Sequence, residues 1–189
     1  MKYKIGVMGS HEQAKDKSVI MAARELGRAI SKSGSILVNG ATTGLPDEAA
    51  RGAKGAGGFV LGISPARDFE EHACNYKLPT KYYDTIIYTG FGFNLRNIVN
   101  IRTSDALVFL RGSMGTLNEF TIAYEDKKII GVLENMGGVS EFFSEIVEIC
   151  KKDTGAVLIY DKDPDRLIKK LLAEIKRQYK KVDKNKYME

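Results

Sequence analysis

The sequence has no tryptophan and, in 189 residues, only two cysteines, two histidines and four prolines. Cys74 and Cys150 stand far apart and in no metal-ligand spacing, so neither a disulfide framework nor a cysteine-based zinc module is encoded. His11 and His72 are equally isolated, and no metal site is expected. Long apolar runs are missing as well. Nothing approaches the roughly 18 residues a membrane helix needs. The opening "MKYKIGVMGS" passes straight into a short apolar stretch, without the length or cleavage site of a secretory signal. These absences predict a cytoplasmic protein without a membrane partner.

A charge excess over the body of the chain is also lacking. The net charge is +5. From Lys162 to Glu189 there are 10 Lys/Arg and 5 Asp/Glu, and the other 161 residues carry 19 of each. The excess therefore belongs to a basic C-terminal segment, which reads as a solvated helix face. No basic patch interleaved with aromatics occurs elsewhere, so nucleic acid is not expected as a partner.

What is present is an alternation of short apolar runs with helical periodicity. The runs are "KIGVM" (4–8), "ILVN" (36–39), "GGFVLGIS" (57–64), "TIIYT" (85–89), "ALVFL" (106–110), "IIGVL" (129–133) and "AVLIY" (156–160). Helices are expected over 18–34, 46–54, 94–103, 115–126, 139–152 and 163–181, with a frayed tail over 182–189. Strands that are continuously apolar and alternate with helices form parallel sheets covered on both faces. The reading is one α/β domain over 1–189, doubly wound, with about seven parallel strands. One long irregular stretch, 65–83, interrupts the pattern, and loops of that length are usually functional or mobile.

Ligands of such sheets bind beyond the carboxyl ends of the strands. Four loops there are rich in glycine or small polar residues: "GSHEQ" (9–13), "NGATTGLPD" (39–47), "TGFGFN" (89–94) and "RGSMGT" (111–116). Turns of this kind expose backbone N–H groups and a helix N-terminus, which together favour an anion, phosphate above all. None is a complete GxGxxG fingerprint or a Walker A loop, which argues against a standard dinucleotide enzyme or P-loop NTPase. Thr116 and Glu119 have the T-x-x-E spacing of a capping box, and a site glutamate is the competing reading. In "NLRNIVNIRTSD", Leu95, Ile98, Val99 and the stem of Arg102 are expected to face the core, with Arg96 and Asn100 on another face. An arginine in a first helical turn opposes the helix dipole. Arg96 is either an ordinary surface residue or one held there by a phosphate or carboxylate. Tyr76, Tyr82 and Tyr83 are candidates for stacking on a base.

The order Arg96, Ser104-Asp105-Ala106, a strand, then Gly112-x-x-Gly115-Thr116-x-x-Glu119 resembles the Lonely Guy (LOG) family, many of whose members carry a lysine decarboxylase label. "VMGS" and "LVNGATTGLPDEAARGAKGAGGFVLGISP" extend the resemblance, and "LRN" at 95–97 is more like the branch with the molybdenum cofactor carrier proteins. The resemblance covers about residues 4–160 and implies a Rossmann-like homodimer. It implies hydrolysis of the N-glycosidic bond of a nucleoside 5'-monophosphate, releasing the base and ribose 5-phosphate without a cofactor. Arg96 and Glu119 match the catalytic pair. Gly9, Ser10, Gly40, Thr43, Gly44, Gly112, Ser113, Gly115 and Thr116 fall in the phosphate- and nucleotide-binding turns. The alternative is a carrier that binds a nucleotide or the molybdenum cofactor without turnover. No lysine stands out as a pyridoxal site. The family's Pro-Gly-Gly is replaced here by Arg111-Gly112-Ser113, where Ser113 could donate a hydroxyl and Arg111 could add charge near an anion.

Overall fold

In the computed structural model, which describes residues 1–12 and 14–181, the apolar runs form a seven-stranded, all-parallel sheet. The strands are β1 (Lys4–Gly9), β2 (Ile36–Asn39), β3 (Val60–Ser64), β4 (Thr85–Tyr88), β5 (Ala106–Leu110), β6 (Ile129–Leu133) and β7 (Val157–Asp161). Their order is β4-β3-β2-β1-β5-β6-β7. The helices are α1 (Lys17–Lys32), α2 (Leu45–Gly55), α3 (Gly92–Thr103), α4 (Met114–Glu125), α5 (Phe143–Cys150) and α6 (Pro164–Lys181). The expected tail, 182–189, lies outside the described residues. No described helix is long and apolar enough to cross a membrane.

Alternation along the strands divides the core into two layers. Ile5 and Val7 of β1, Ala106, Val108 and Leu110 of β5, and Ile129 and Leu133 of β6 pack with α1, α2 and α6. Met8, Leu107, Phe109, Ile130 and Val132 point the other way, against α3, α4 and α5. On the first face α1 and α2 meet backbone to backbone. A Cβ on Gly27 would overlap the Ala49 carbonyl, and one on Gly52 would overlap that of Arg24. On the second face Phe120 stacks on Phe143 at 3.8 Å, and Phe109 meets both edge-on. This aromatic trio seats α4 on the sheet.

The helix expected over 139–152 is in fact divided. A 3-10 turn, Val139–Phe142, precedes α5. The amides of Val139 and Ser140 donate to the carbonyls of Gly112 and Arg111, so the first turn braces the β5–α4 connection instead of starting a regular helix. In the long stretch 65–83, a π-helical turn, Glu71–Asn75, is built around a completely buried His72.

Candidate functional site

The strand order reverses direction at β1 and β5, so the connections leaving their carboxyl ends part to opposite faces and leave a crevice. A pocket of about 490 Å³ lies there, within the range of small-ligand sites. Gly9, Ser10, Gly40, Thr43, Arg96, Ser113, Gly115, Thr116 and Glu119 all line it. Gly44 and Gly112, expected beside them, do not. They serve the backbone, at φ +83° and +90°. A side chain on Gly44 would strike the Ser10 carbonyl, and Thr116 fills the space beside Gly112.

Helix α4 presents its amino end to the pocket. Its N-cap is Ser113, whose side chain makes no capping bond, and no acidic residue occupies the first turn. The first amides of a helix have no intrahelical acceptors, so they are available to an anion. The capping box is not formed. The helix begins two residues before Thr116, which places Glu119 in the second turn, beyond reach of the N-cap amide. Ser113 has φ −137°, extended backbone that needs no glycine. Arg111, by contrast, has φ +55°. Its side chain turns toward the 134–138 loop, with Nη1 3.4 Å from the Met136 carbonyl. It does not line the pocket, and the expected charge beside an anion is not supplied by this residue.

The inward face of α3 is polar, contrary to the expectation from its apolar residues. Arg96, Asn97, Asn100 and Ile101 are buried, whereas Leu95 and Arg102 are exposed and Ile98 and Val99 only partly covered. The reason is what the helix packs against: its inner side meets α4 and the pocket floor as well as hydrophobic core. Asn97 Nδ2 donates to Asn118 Oδ1 at 2.9 Å and ties the two helices together. The side chains of Arg96 and Glu119 are 6% and 10% exposed, with Nη1 3.7 Å from Oε1. Gly40 makes room for the arginine, since a Cβ there would lie 2.7 Å from Cζ and closer still to Nη1.

Burial governs the electrostatics of this pair. It pushes the Glu119 carboxyl up to about 7, against the pull of the Arg96 guanidinium and the Asn100 amide. It also holds Arg96 below its ordinary value, while Glu119 and then Tyr83 act to raise it. Arg96 Nε and Asn100 Oδ1 are buried without a hydrogen-bond partner among the described residues. Nearby, burial and the charge of Glu48 raise the Asp47 carboxyl to about 6. The floor is thus a low-dielectric cluster with a carboxyl group able to exchange a proton near neutrality.

Several lining residues were not singled out by the sequence. Met8 lies near the end of β1 and His11 follows it, Thr42 follows β2, Phe93 is in the first turn of α3, and Lys77 and Leu78 come from the long connection. Of the three tyrosines considered for stacking, only Tyr76 reaches the pocket. Tyr82 lies under Arg51 and Lys81 instead, and Tyr83 buries its hydroxyl near Asp47, Asn39 and Arg96. Among the described residues no three His, Cys, Asp or Glu side chains gather as metal ligands.

The sequence profile of the SLOG cluster4 family matches residues 2–168. The chain belongs to that family. The SLOG match spans the whole sheet and every element of the pocket. An uncharacterized protein of Archaeoglobus fulgidus is 33% identical over 130 residues, 69% of this chain and 79% of that protein. Among solved structures, the molybdenum cofactor binding protein of Rippkaea orientalis is 26% identical with a TM-score of 0.76, covering 93% of this chain and 98% of that one. The molybdenum cofactor carrier protein of Chlamydomonas reinhardtii is 30% identical with a TM-score of 0.71, covering 92% and 99%. These neighbours share the Rossmann-like fold seen here.

Proposed function

We propose that this protein binds a phosphorylated heterocyclic ligand, a nucleotide or the pterin-based molybdenum cofactor, in the pocket over β1 and β5. One observation carries the reading: the uncapped amino end of α4 opens onto a pocket whose floor holds a buried arginine. Helix amides and a desolvated guanidinium together form a phosphate site. The likeness to two molybdenum cofactor proteins supports a binding or carrier role. The residues fit such a group. Arg96, which lines the pocket, has its Nε buried and unpaired among the described residues. Ser113, Gly115 and Thr116 would hold the phosphate, and a bound cofactor would supply a dithiolene-held molybdenum as cargo.

The placement of Glu119 favours a second reading, hydrolysis of a nucleoside 5'-monophosphate. Cleavage of an N-glycosidic bond develops positive charge on the sugar, which a buried carboxylate stabilises. Glu119 would do this and orient water, and Arg96 would contact the phosphate or the leaving base. The two readings separate in one experiment. Titrate the purified protein with a panel of nucleoside 5'-monophosphates and quantify free base by chromatography. Saturable binding without base supports the carrier; base release establishes the hydrolase; no binding of any nucleotide refutes the hydrolase and the nucleotide as ligand. A homodimer is part of the proposal. Phe91 just before α3, Leu95 on α3 and Met114 on α4 stand exposed, where a second copy would cover them. Light scattering should return twice the 20.9 kDa chain mass.

A further inference from the structure

The pocket has two chemically different ends. The amino end of α4 follows β5. Across the crevice, on the side of β3 and β4, the wall is Tyr76, Leu78 and Phe93. Tyr76 and Phe93 come from separate segments, yet their rings meet at 5.5 Å with a tilt of 47°. They remain 38% and 48% exposed. Two large rings that meet in a pocket wall and keep so much surface open have no role in the core and leave area for a planar partner.

The segment carrying Tyr76 is held rigidly. His72 is fully buried, with Nδ1 2.8 Å from Ser64 Oγ and Nε2 3.1 Å from the Pro79 carbonyl. The amide of Tyr76 donates to the Glu71 carbonyl, and that of Leu78 to the His72 carbonyl. Lys77 lies between them at φ +52°, the left-handed residue that closes the turn. Tyr76 is thereby offered to the pocket from a fixed backbone.

We propose that Tyr76 and Phe93 are the specificity-determining residues, forming the surface on which the heterocycle of the ligand stacks while its phosphate sits at α4. This rests on the phosphorylated-heterocycle reading and adds to it which side chains receive the ring and so discriminate against a sugar phosphate alone. Stacking tolerates different bases, so the site selects ring against no ring more strongly than one base against another.

The test is calorimetric titration with ribose 5-phosphate and the four common nucleoside 5'-monophosphates, on wild type, Tyr76→Phe and the double variant Tyr76→Ala/Phe93→Ala. In the wild type the best nucleotide should bind at least about tenfold tighter than ribose 5-phosphate. The double variant should lose that advantage and keep its affinity for ribose 5-phosphate within about twofold; Tyr76→Phe should keep both. Both rings are partly exposed, so thermal melting should be little changed. A preference that survives the double variant overturns the proposal. So does equal loss of ribose 5-phosphate binding, a change in oligomeric state in place of affinity, or a wild type that prefers no nucleotide. If ribose 5-phosphate and every nucleotide fail to bind the wild type, the phosphate pocket itself is refuted.

Discussion

Glu119 and Arg96 face each other across 3.7 Å, both buried, close enough for their charges to interact and too far apart for a good hydrogen bond. Burial therefore outweighs attraction at the carboxyl, whose proton affinity is raised from 4.5 to about 7. In the unfolded chain the same group loses its proton near 4.5. Between the two values the folded state binds more protons than the unfolded state, so stability falls as pH rises through this window and levels off above it. Asp47, raised to about 6, adds to the same slope. Melting temperature measured from pH 4.5 to 7.5 should decline in the wild type. Glu119→Gln should flatten most of that decline, and Asp47→Asn a smaller part.

The same substitution bears on chemistry. If base is released from a nucleotide, Glu119→Gln should lower kcat by about 10²- to 10⁴-fold, as loss of a positioned carboxylate does. Nucleotide affinity should change little, because the amide keeps the shape of the floor. Single-turnover kinetics beside equilibrium binding checks this; equal losses in both would make Glu119 a binding group.

Gly40 and Gly27 both lack a side chain for reasons of space, but for different neighbours. At Gly40 the neighbour is the guanidinium of Arg96; at Gly27 it is the backbone of α2. Gly40→Ala should displace Arg96 and weaken phosphate binding with little change in unfolding. Gly27→Ala should force α1 from α2 and cost about 1–3 kcal/mol in urea unfolding, with ligand affinity retained in the folded protein.

His72 joins Ser64 at the end of β3 to Pro79 beyond the π-helical turn. Ser64 Oγ also accepts from the Ala66 amide, which ties the end of β3 into the same network. His72→Ala leaves both partners unpaired beside a cavity and should cost about 3 kcal/mol. Ser64→Ala should cost about 1 kcal/mol. Chemical denaturation gives both values, and limited proteolysis should cut the His72→Ala variant within 65–83.

The sheet was legible because all seven strands are short apolar runs, and a parallel sheet buried on both faces requires that composition. The glycine-rich ends of β1, β2 and β5 identified most of the pocket for the same reason: backbone that approaches a ligand is written as small residues. Helix α3 was misread because an apolar count assumes that the buried side is apolar. Here Leu95 is outside and Arg96, Asn97 and Asn100 are inside, facing other polar groups that only the assembled fold supplies. The T-x-x-E spacing misled in a similar way. It fixes the separation of Thr116 and Glu119 but not the residue at which the helix starts. Tyr76 and Phe93 carry no signal of spacing, since they lie in different segments and meet through the π-helical turn.

Arg111, at φ +55°, limits which residues this turn can accept. A proline ring fixes φ near −65°, so proline cannot be placed at this position without rebuilding the turn. Arg111→Pro would have to reshape the strand end together with the Gly112 and Arg111 carbonyls that Val139 and Ser140 now hold. The turn and the 3-10 segment behind it are interdependent, so a change in the backbone of one must be matched by the other.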